Sequence, residues 1–286
     1  MKNIVFEKYQ GNGNDFIIID SRDNKTYNKF NSNYIFDIKK LCNRQFGIGG
    51  DGVIFIKEPD GNNLAKMIIY NSDGSEAQMC GNGIRCLVEY IHKSYIGIND
   101  LSEYRIETKA GLKIAHYNHG QITVKMGKPI LETNQIPTTI DKKQNHLPSY
   151  LFKESNFEQQ GYAVGMGNPH LIFFIKDINK ISLSLLGPIF ENSKLFPDKT
   201  NVHFSQIIDR DNIKVIVRER GAGPTLACGT GACAVHVAAF KLGLCNSETT
   251  INLPGGNLKI NWSRFDEEIL MTGYAKKVFS GTYLLK

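Results

Sequence analysis

Two cysteines of this chain sit in matching local sequences, Met79-Cys80-Gly81-Asn82-Gly83 and Ala227-Cys228-Gly229-Thr230-Gly231. Each precedes a run with helical spacing, so each thiol is expected at a helix N-terminus. Unpaired backbone N–H groups and the helix dipole there favour thiolate over thiol. One such cysteine is a candidate acid or base. Two in the same frame suggest a reaction that needs a thiol on each of two sides. A carbon between them loses a proton to one sulfur and gains one from the other, which inverts a stereocentre. A thiol suits this work because its ordinary pKa of about 8.5 keeps both forms accessible near neutrality. The glycines leave the N–H groups of Gly81-Asn82 and Gly229-Thr230 clear of side chains. Those amides are suited to hold a carboxylate and the charge that develops as the carbon is deprotonated.

The duplication extends beyond the thiols. Asn71 stands nine residues before Cys80, and Glu219 stands nine before Cys228, each followed by a Gly-containing turn. Near the start of each half, Gly11-Asn12-Gly13-Asn14-Asp15-Phe16 matches Gly165-Met166-Gly167-Asn168-Pro169-His170. The Asn14–Asn168 offset is 154 residues and the Cys80–Cys228 offset is 148, so the repeats agree to within a short loop. A period this long indicates two related domains rather than a solenoid. Asn14, Asn71, Asn168, Asn201 and Arg220 lie beside turns or strand ends, suited to amino and carboxylate groups. Asn in a Gly-rich turn is also explained by its tolerance of positive φ. His170 and Glu219 are candidates for tuning a thiol through a hydrogen bond.

The elements that must position these groups follow from periodicity. Residues 2–9 and 16–20 predict a strand pair joined by a turn at 11–14. A helix is expected over 34–45, strands at 53–56 and 67–70, and the first cysteine-led helix over 82–95. Strands follow at 104–108, 112–117 and 121–126. The polar stretch 127–160 predicts the crossover between domains. In the second half the expectations are a strand at 170–175, a short helix near 182–192 and a strand at 213–218. The second cysteine-led helix covers 229–243 and is apolar all round, so it belongs at the centre of its domain. Strands at 249–253, 256–262, 268–271 and 276–285 complete an α+β architecture in which sheets wrap a central helix twice over.

A chain of 286 residues is long enough for two domains with their own cores. With 41% apolar and 22% charged residues it has an ordinary globular composition, and its apolar runs fall short of a membrane span. Met1-Lys2-Asn3-Ile4-Val5-Phe6-Glu7 alternates like a strand and lacks a signal-peptide core, so a cytoplasmic location is the expectation. The net charge of +6 is scattered without interleaved aromatics, which argues against nucleic acid as a partner. Neither Cys-x-x-Cys nor a zinc-finger spacing occurs, so no metal site is expected. Cys42, Cys86, Cys233 and Cys245 fit as buried packing residues.

The residues quoted above, with Phe6-Glu7-Lys8, Asn71-Ser72-Asp73-Gly74-Ser75-Glu76, Ile84-Arg85-Cys86, Glu219-Arg220-Gly221-Ala222-Gly223, Leu253-Pro254-Gly255-Gly256 and Met271-Thr272-Gly273, resemble the diaminopimelate epimerase family. The match runs in order from about residue 6 to the end. The resemblance implies interconversion of LL- and meso-2,6-diaminopimelate, a step of amino-acid (lysine) biosynthesis, without pyridoxal phosphate, metal or other cofactor. It implies Cys80 and Cys228 as the catalytic acid/base pair, one on each face of the α-carbon. Asn14, Asn71, Asn168, Asn201, Glu219 and Arg220 would read the substrate. The amides of Gly81-Asn82 and Gly229-Thr230 would hold its reacting carboxylate, with His170 and Glu219 close behind the thiols. The implied fold is two pseudo-symmetric domains, each a sheet barrel around a central helix. Residues 1–127 would form the first, joined by a last strand at about 275–286, and 128–274 the second. A homodimer is also implied. Two departures stand out: Gly52 occupies a position where many members carry Gln, and the first turn reads Gly11-Asn12-Gly13-Asn14.

Two other readings fit the thiols. Proline racemase and hydroxyproline epimerase share the two-cysteine design, but typically have His where this chain has Asn82. A redox dithiol protein would use Cys80 and Cys228 without turnover, yet would not need the accompanying glycines and Asn/Arg set.

Overall fold

The computed structural model describes residues 2–23, 34–94, 101–141, 143–264 and 267–285. In chain order the first elements are β1 (Lys2–Gly11), β2 (Asn14–Asp20), α1 (Tyr34–Cys42), β3 (Gly52–Lys57) and β4 (Ala65–Asn71). Next come β5 (Glu76–Ala77), α2 (Gly81–Ser94), β6 (Tyr104–Thr108), β7 (Gly111–Asn118) and β8 (Gln121–Lys125). The chain continues with β9 (Lys143–Gln144), β10 (Leu147–Glu154), β11 (Phe157–Gly165), β12 (Pro169–Phe174), α3 (Leu183–Glu191) and β13 (Asn201–Ile207). It ends with β14 (Asn212–Glu219), β15 (Gly223–Thr225), α4 (Gly229–Lys241), β16 (Glu248–Leu253), β17 (Gly256–Asn261), β18 (Leu270–Tyr274) and β19 (Lys276–Leu285). These form two compact units, Met1–Val124 with Gly273–Lys286, and Lys125–Thr272.

The two units repeat one strand order. In the first, β19 pairs with β1, β1 with β2, β2 in parallel with β3, and β3 with β4. The path then runs from β4 in parallel to β6, and on to β7 and β8. In the second, β10, β11, β12, β13, β14, β16, β17 and β18 follow in the same sense, with β12–β13 and β14–β16 the parallel pairs. A short β5 or β15 hairpins back from β4 or β14 just before each cysteine.

Parallel strands persist where both faces are covered, and both units meet that condition. Ile17, Ile19, Val53 and Phe55 form one cluster with Ile38 and Leu41 of α1, while Ile54 and Ile69 reach Gly83 of α2 on the other side. In the second unit Leu171, Phe173, Val202 and Phe204 pack with Phe190 of α3. Phe173 lies 5.3 Å from Phe204 and 4.8 Å from Phe190 between ring centroids; each buried ring contributes roughly 1.5–3 kcal/mol. Helix α4 is buried from Gly231 through Ala239, so the sheet wraps it on all sides.

Three expectations differ from what is observed. The stretch 127–160 is not a bare crossover: β10 and β11 form a hairpin there, with Phe152 buried while Lys153 and Glu158 are exposed. Strand β13 has no counterpart among the expected strands although Val202-His203-Phe204-Ser205 alternates apolar and polar; His203 and Ser205 are as fully buried as Val202 and Phe204, so both faces of the strand are covered. Helix α1 stops at Cys42 rather than 45, where the N–H groups of Ile48 and Gly49 turn back to the Leu41 carbonyl and that of Gly50 to the Cys42 carbonyl. The last residue of the helix expected over 82–95 lies outside the described residues.

Candidate active site

Cys80 and Cys228 occupy equivalent positions in their units. The Cys80 Sγ accepts the Gly83 N–H at 3.5 Å, and the Cys80 carbonyl accepts the Ile84 N–H at 2.9 Å. The Cys228 Sγ accepts the Gly231 N–H at 3.4 Å, and its carbonyl accepts the Ala232 N–H at 2.9 Å. Each sulfur therefore takes the place of the oxygen in an ordinary helix N-cap.

Around Cys80 the first unit builds a polar network. Asn12 (φ 55°) and Gly13 (φ 78°) make the tight turn between β1 and β2, a geometry for which an Asn-Gly pair is suited. Asn14 follows, donating through Nδ2 to Asp51 at 2.7 Å. Its Oδ1 consequently faces the Cys80 thiol at 3.7 Å and the Asn82 Nδ2 at 3.3 Å. Asp51 is fixed by Arg44, which also grips Asp15 at 3.0 and 2.6 Å, and Lys8 pairs with Asp15 at 2.7 Å. Burial works against the Asp15 charge, yet hydrogen bonds from Arg44 and Lys8 hold its carboxyl well below the usual range.

Arg85, fully buried on α2, donates to Asn82 Oδ1 at 2.8 Å, Asn12 Oδ1 at 2.7 Å, the Gly81 carbonyl at 3.3 Å and the Tyr274 carbonyl at 3.4 Å. The buried Asn82 side chain is thus committed inside the network, leaving its backbone as the part suited to a carboxylate. Asn71 is exposed and bonds Ser75 Oγ at 3.0 Å within the β4–β5 turn. At Gly52 a Cβ would lie 2.5 Å from the Tyr70 carbonyl oxygen. A Gln side chain has no place there without a backbone shift.

In the second unit Cys228 is buried and lies 3.5 Å from Thr230 Oγ1. Burial, followed by the charge of Glu219 and a hydrogen bond to it, pushes the thiol well above its ordinary value. This reverses the sequence expectation of a favoured thiolate: desolvation and a neighbouring carboxylate outweigh the helix N-terminus. Glu219 is itself held by Thr225 Oγ1 at 2.6 Å. The hairpin beyond it turns on Gly221 (φ 77°) and Gly223 (φ 83°). Glu191 clamps it, accepting from the Gly221 N–H at 2.9 Å and Arg218 Nε at 2.6 Å.

Asn201 is buried, donating to the Pro169 carbonyl at 2.9 Å and accepting the Arg220 N–H at 3.0 Å. Both ends of its side chain are used within the unit, so it holds Arg220 in place instead of presenting a group outward. Arg220 is exposed and donates to the Asp198 carbonyl at 3.0 Å. His170 is fully buried, one ring nitrogen 2.9 Å from Asn168 Oδ1 and the other 2.9 Å from His203 Nε2. Its hydrogen bonds run to these two residues, not to a thiol. Burial, His203 and Arg220 all press its pKa well below the ordinary value.

Sequence reasoning missed Asp51, Arg44, Lys8, Arg85 and His203. The loop Gly47-Ile48-Gly49-Gly50-Asp51-Gly52 was the one available signal for the first of these; Arg85 and His203 have the spacing of unremarkable helix and strand residues.

The repeated sheet-wrapped-helix fold is shared with proteins of several activities. A phenazine biosynthesis protein of the PhzF family from Enterococcus faecalis superposes with a TM-score of 0.69 at 12% identity, over 99% of this chain and 100% of that one. A hydroxyproline epimerase from Agrobacterium vitis gives 0.67 at 12% identity, over 98% and 92%. At such identity the likeness defines the fold class alone. The family is fixed by sequence: a family model described as diaminopimelate epimerase matches residues 6–132 and 162–278. A diaminopimelate epimerase of Prochlorococcus marinus (strain NATL2A) is 48% identical over 98% of this chain and 99% of its own length. One of Rippkaea orientalis is 46% identical over 99% of each. The chain belongs to the diaminopimelate epimerase family.

Proposed function

We propose that this chain interconverts LL- and meso-2,6-diaminopimelate by removing the α-proton with one thiolate and delivering another proton from a second thiol, with no cofactor. The observation that carries this reading is the pair of N-capping cysteines in one frame, in a chain aligned end to end with named epimerases. One sulfur takes the α-proton as the C–H bond breaks, the electron pair resides on the α-carbon and its carboxylate, and the other sulfur delivers a proton to the opposite face. With its pKa raised, Cys228 starts protonated and serves as the acid in the direction where Cys80 is the base; the reverse direction exchanges the roles. The backbone N–H groups of Gly81-Asn82 and Gly229-Thr230 hold the reacting carboxylate and stabilise the charge that develops on it. Asn14, turned by Asp51 to present its oxygen, suits an ammonium group. Asn71, Asn168, Glu219 and Arg220 read the remaining polar groups, and Asn201 and His170 support Arg220 and Asn168 respectively.

The domains we propose are 1–127 with 275–286, and 128–274, acting in the cytoplasm as a homodimer in lysine biosynthesis. Val5 and Leu284, 69% and 52% exposed on one face of the β1–β19 ladder, supply an apolar surface for a second copy. Sedimentation at micromolar concentration checks the dimer, and a monomer there excludes it. Conversion of LL-diaminopimelate to the meso form, followed by chiral chromatography with proline in parallel, tests the activity. Racemisation of proline without turnover of diaminopimelate overturns the substrate assignment.

A further inference from the structure

Strands β12 and β13 run in parallel with His170 opposite Asn201 and Ile172 opposite His203. His170 and His203 therefore face the same side of the sheet, away from the Leu171/Phe173/Val202/Phe204 cluster. On that side His203 meets α4: a Cβ on Gly231 would lie 2.1 Å from its Cε1. Both imidazoles are fully buried, and the two rings are joined by a 2.9 Å contact between His170 Nδ1 and His203 Nε2.

The proton arrangement follows from the ends of this chain of contacts. Asn168 Oδ1 is a carbonyl oxygen and only accepts, so the proton between it and His170 belongs to His170 Nε2. A neutral His170 then has a bare Nδ1, and His203 must donate to it from Nε2. What remains is a bare His203 Nδ1, one of four buried side-chain polar atoms with no hydrogen-bond partner among the described residues. The reversed arrangement would turn the Asn168 carboxamide over and leave a buried N–H unsatisfied at the same atom. Orphaned buried N–H groups are rarer than orphaned acceptors, which selects the first arrangement. A doubly protonated ring is excluded by burial, which also pushes His203 down to about 3.

We propose that His203 is a positioning residue: it fixes the Nε2–H tautomer of His170, which turns the Asn168 carboxamide so that its NH2 faces the substrate and reads a carboxylate oxygen. This rests on the proposed contact between Asn168 and substrate. The relay tells an acceptor from an ammonium group at that position, since only an acceptor can take the amide protons. His203 reaches the reaction through two intervening side chains and touches no reacting atom.

The test uses the full chain with 15N-labelled histidine. Long-range proton–nitrogen correlation is expected to report both His170 and His203 as neutral Nε2–H tautomers at pH 7. In His203→Gln the side-chain NH2 still donates to His170, so the His170 signature persists and KM stays within about twofold of the parent. In His203→Leu the donor is gone. His170 then populates both tautomers, and KM rises roughly two- to tenfold, the value of one hydrogen bond, while kcat changes less. In an Asn168→Ala background the same Leu substitution is expected to leave KM unchanged, as coupled neighbours require. An Nδ1–H signature for His170 in the parent protein overturns the proposal without needing any variant to fold. So does an equal rise in KM from His203→Leu in both backgrounds, the mark of a merely structural role. If Asn168→Ala itself leaves KM unchanged, the substrate contact falls, and the tautomer of His170 decides the relay separately.

Discussion

Replacing Gly231 by Ala is expected to destabilise the protein, although Gly→Ala inside a helix ordinarily stabilises by about 1 kcal/mol. The new Cβ would lie 2.1 Å from His203 Cε1, 2.8 Å from Nε2 and 3.0 Å from Nδ1. His203 is fully buried and tied to His170, so the ring cannot swing aside without breaking that bond. Three contacts this short put the overpacking cost near the upper end of the usual range, about 3 kcal/mol. Subtracting the helix gain leaves a net loss of about 2 kcal/mol. For a chain of this size that lowers Tm by roughly 4–8 °C. Gly83 is the matching position in the first unit and serves as the internal control. Its Cβ would meet the Ile54 and Ile69 Cδ1 methyls at 3.2 and 3.3 Å, ends of side chains that can give by a few tenths of an ångström, so Gly83→Ala should cost clearly less than Gly231→Ala. Urea titration at pH 7 measures both, and the loss at Gly231 should shrink in a His203→Ala background. A Gly231→Ala protein as stable as the parent, or more so, refutes the reasoning that His203 occupies that space.

Arg85→Lys keeps the charge but loses the fork that serves four acceptors, and is expected to cost roughly 2–4 kcal/mol in urea titration; a loss under about 0.5 kcal/mol contradicts the network. The histidine pair predicts acid sensitivity. Both folded pKa values are lowered, so the stability of the neutral pair is complete above the ordinary value of 6.5 and is lost as pH falls through it, until His203 protonates in the fold at about 3. At pH 5 His203 alone accounts for about 2 kcal/mol, and His203→Gln should flatten the change in urea midpoint between pH 7 and 5. Glu219→Gln removes a carboxylate that holds the Cys228 proton. Alkylation of Cys228 at pH 7.5 should therefore quicken while turnover falls, and slower alkylation contradicts the assigned direction.

The repeat of Cys-Gly-x-Gly announced the duplicated fold because helix-opening glycines and periodic apolar runs are local signals. That is why α2, α4 and the strands around them fell close to where periodicity put them. Strand β13 has an alternating Val202-His203-Phe204-Ser205 run with two apolar positions, a short local signal, and the burial of its polar face, where His203 meets Gly231 of α4, is a property of packing. The β10–β11 hairpin escaped because Asn, Gln and Pro read as loop composition, while pairing across strands supplies its order. Arg85 looks like a surface residue on a helix, and only the fold reveals that four carbonyl oxygens converge on it. The thiols were legible as a pair, but the raised pKa of Cys228 was not, since burial and the position of Glu219 are properties of packing. His170 drew notice from its place in the repeat, yet its partner lies 33 residues away on a neighbouring strand.

In the proposed reaction one thiol from each repeat moves a proton at the same carbon. Incubating the reduced protein with LL-diaminopimelate in deuterated water, and following the α-proton signals together with the stereochemistry, tests it most directly. Deuterium is expected at a single α-centre, appearing with the meso product, and both are expected to be lost in Cys80→Ala and in Cys228→Ala. Meso product formed at the parent rate by either variant would contradict it, because one thiol would then suffice for both faces.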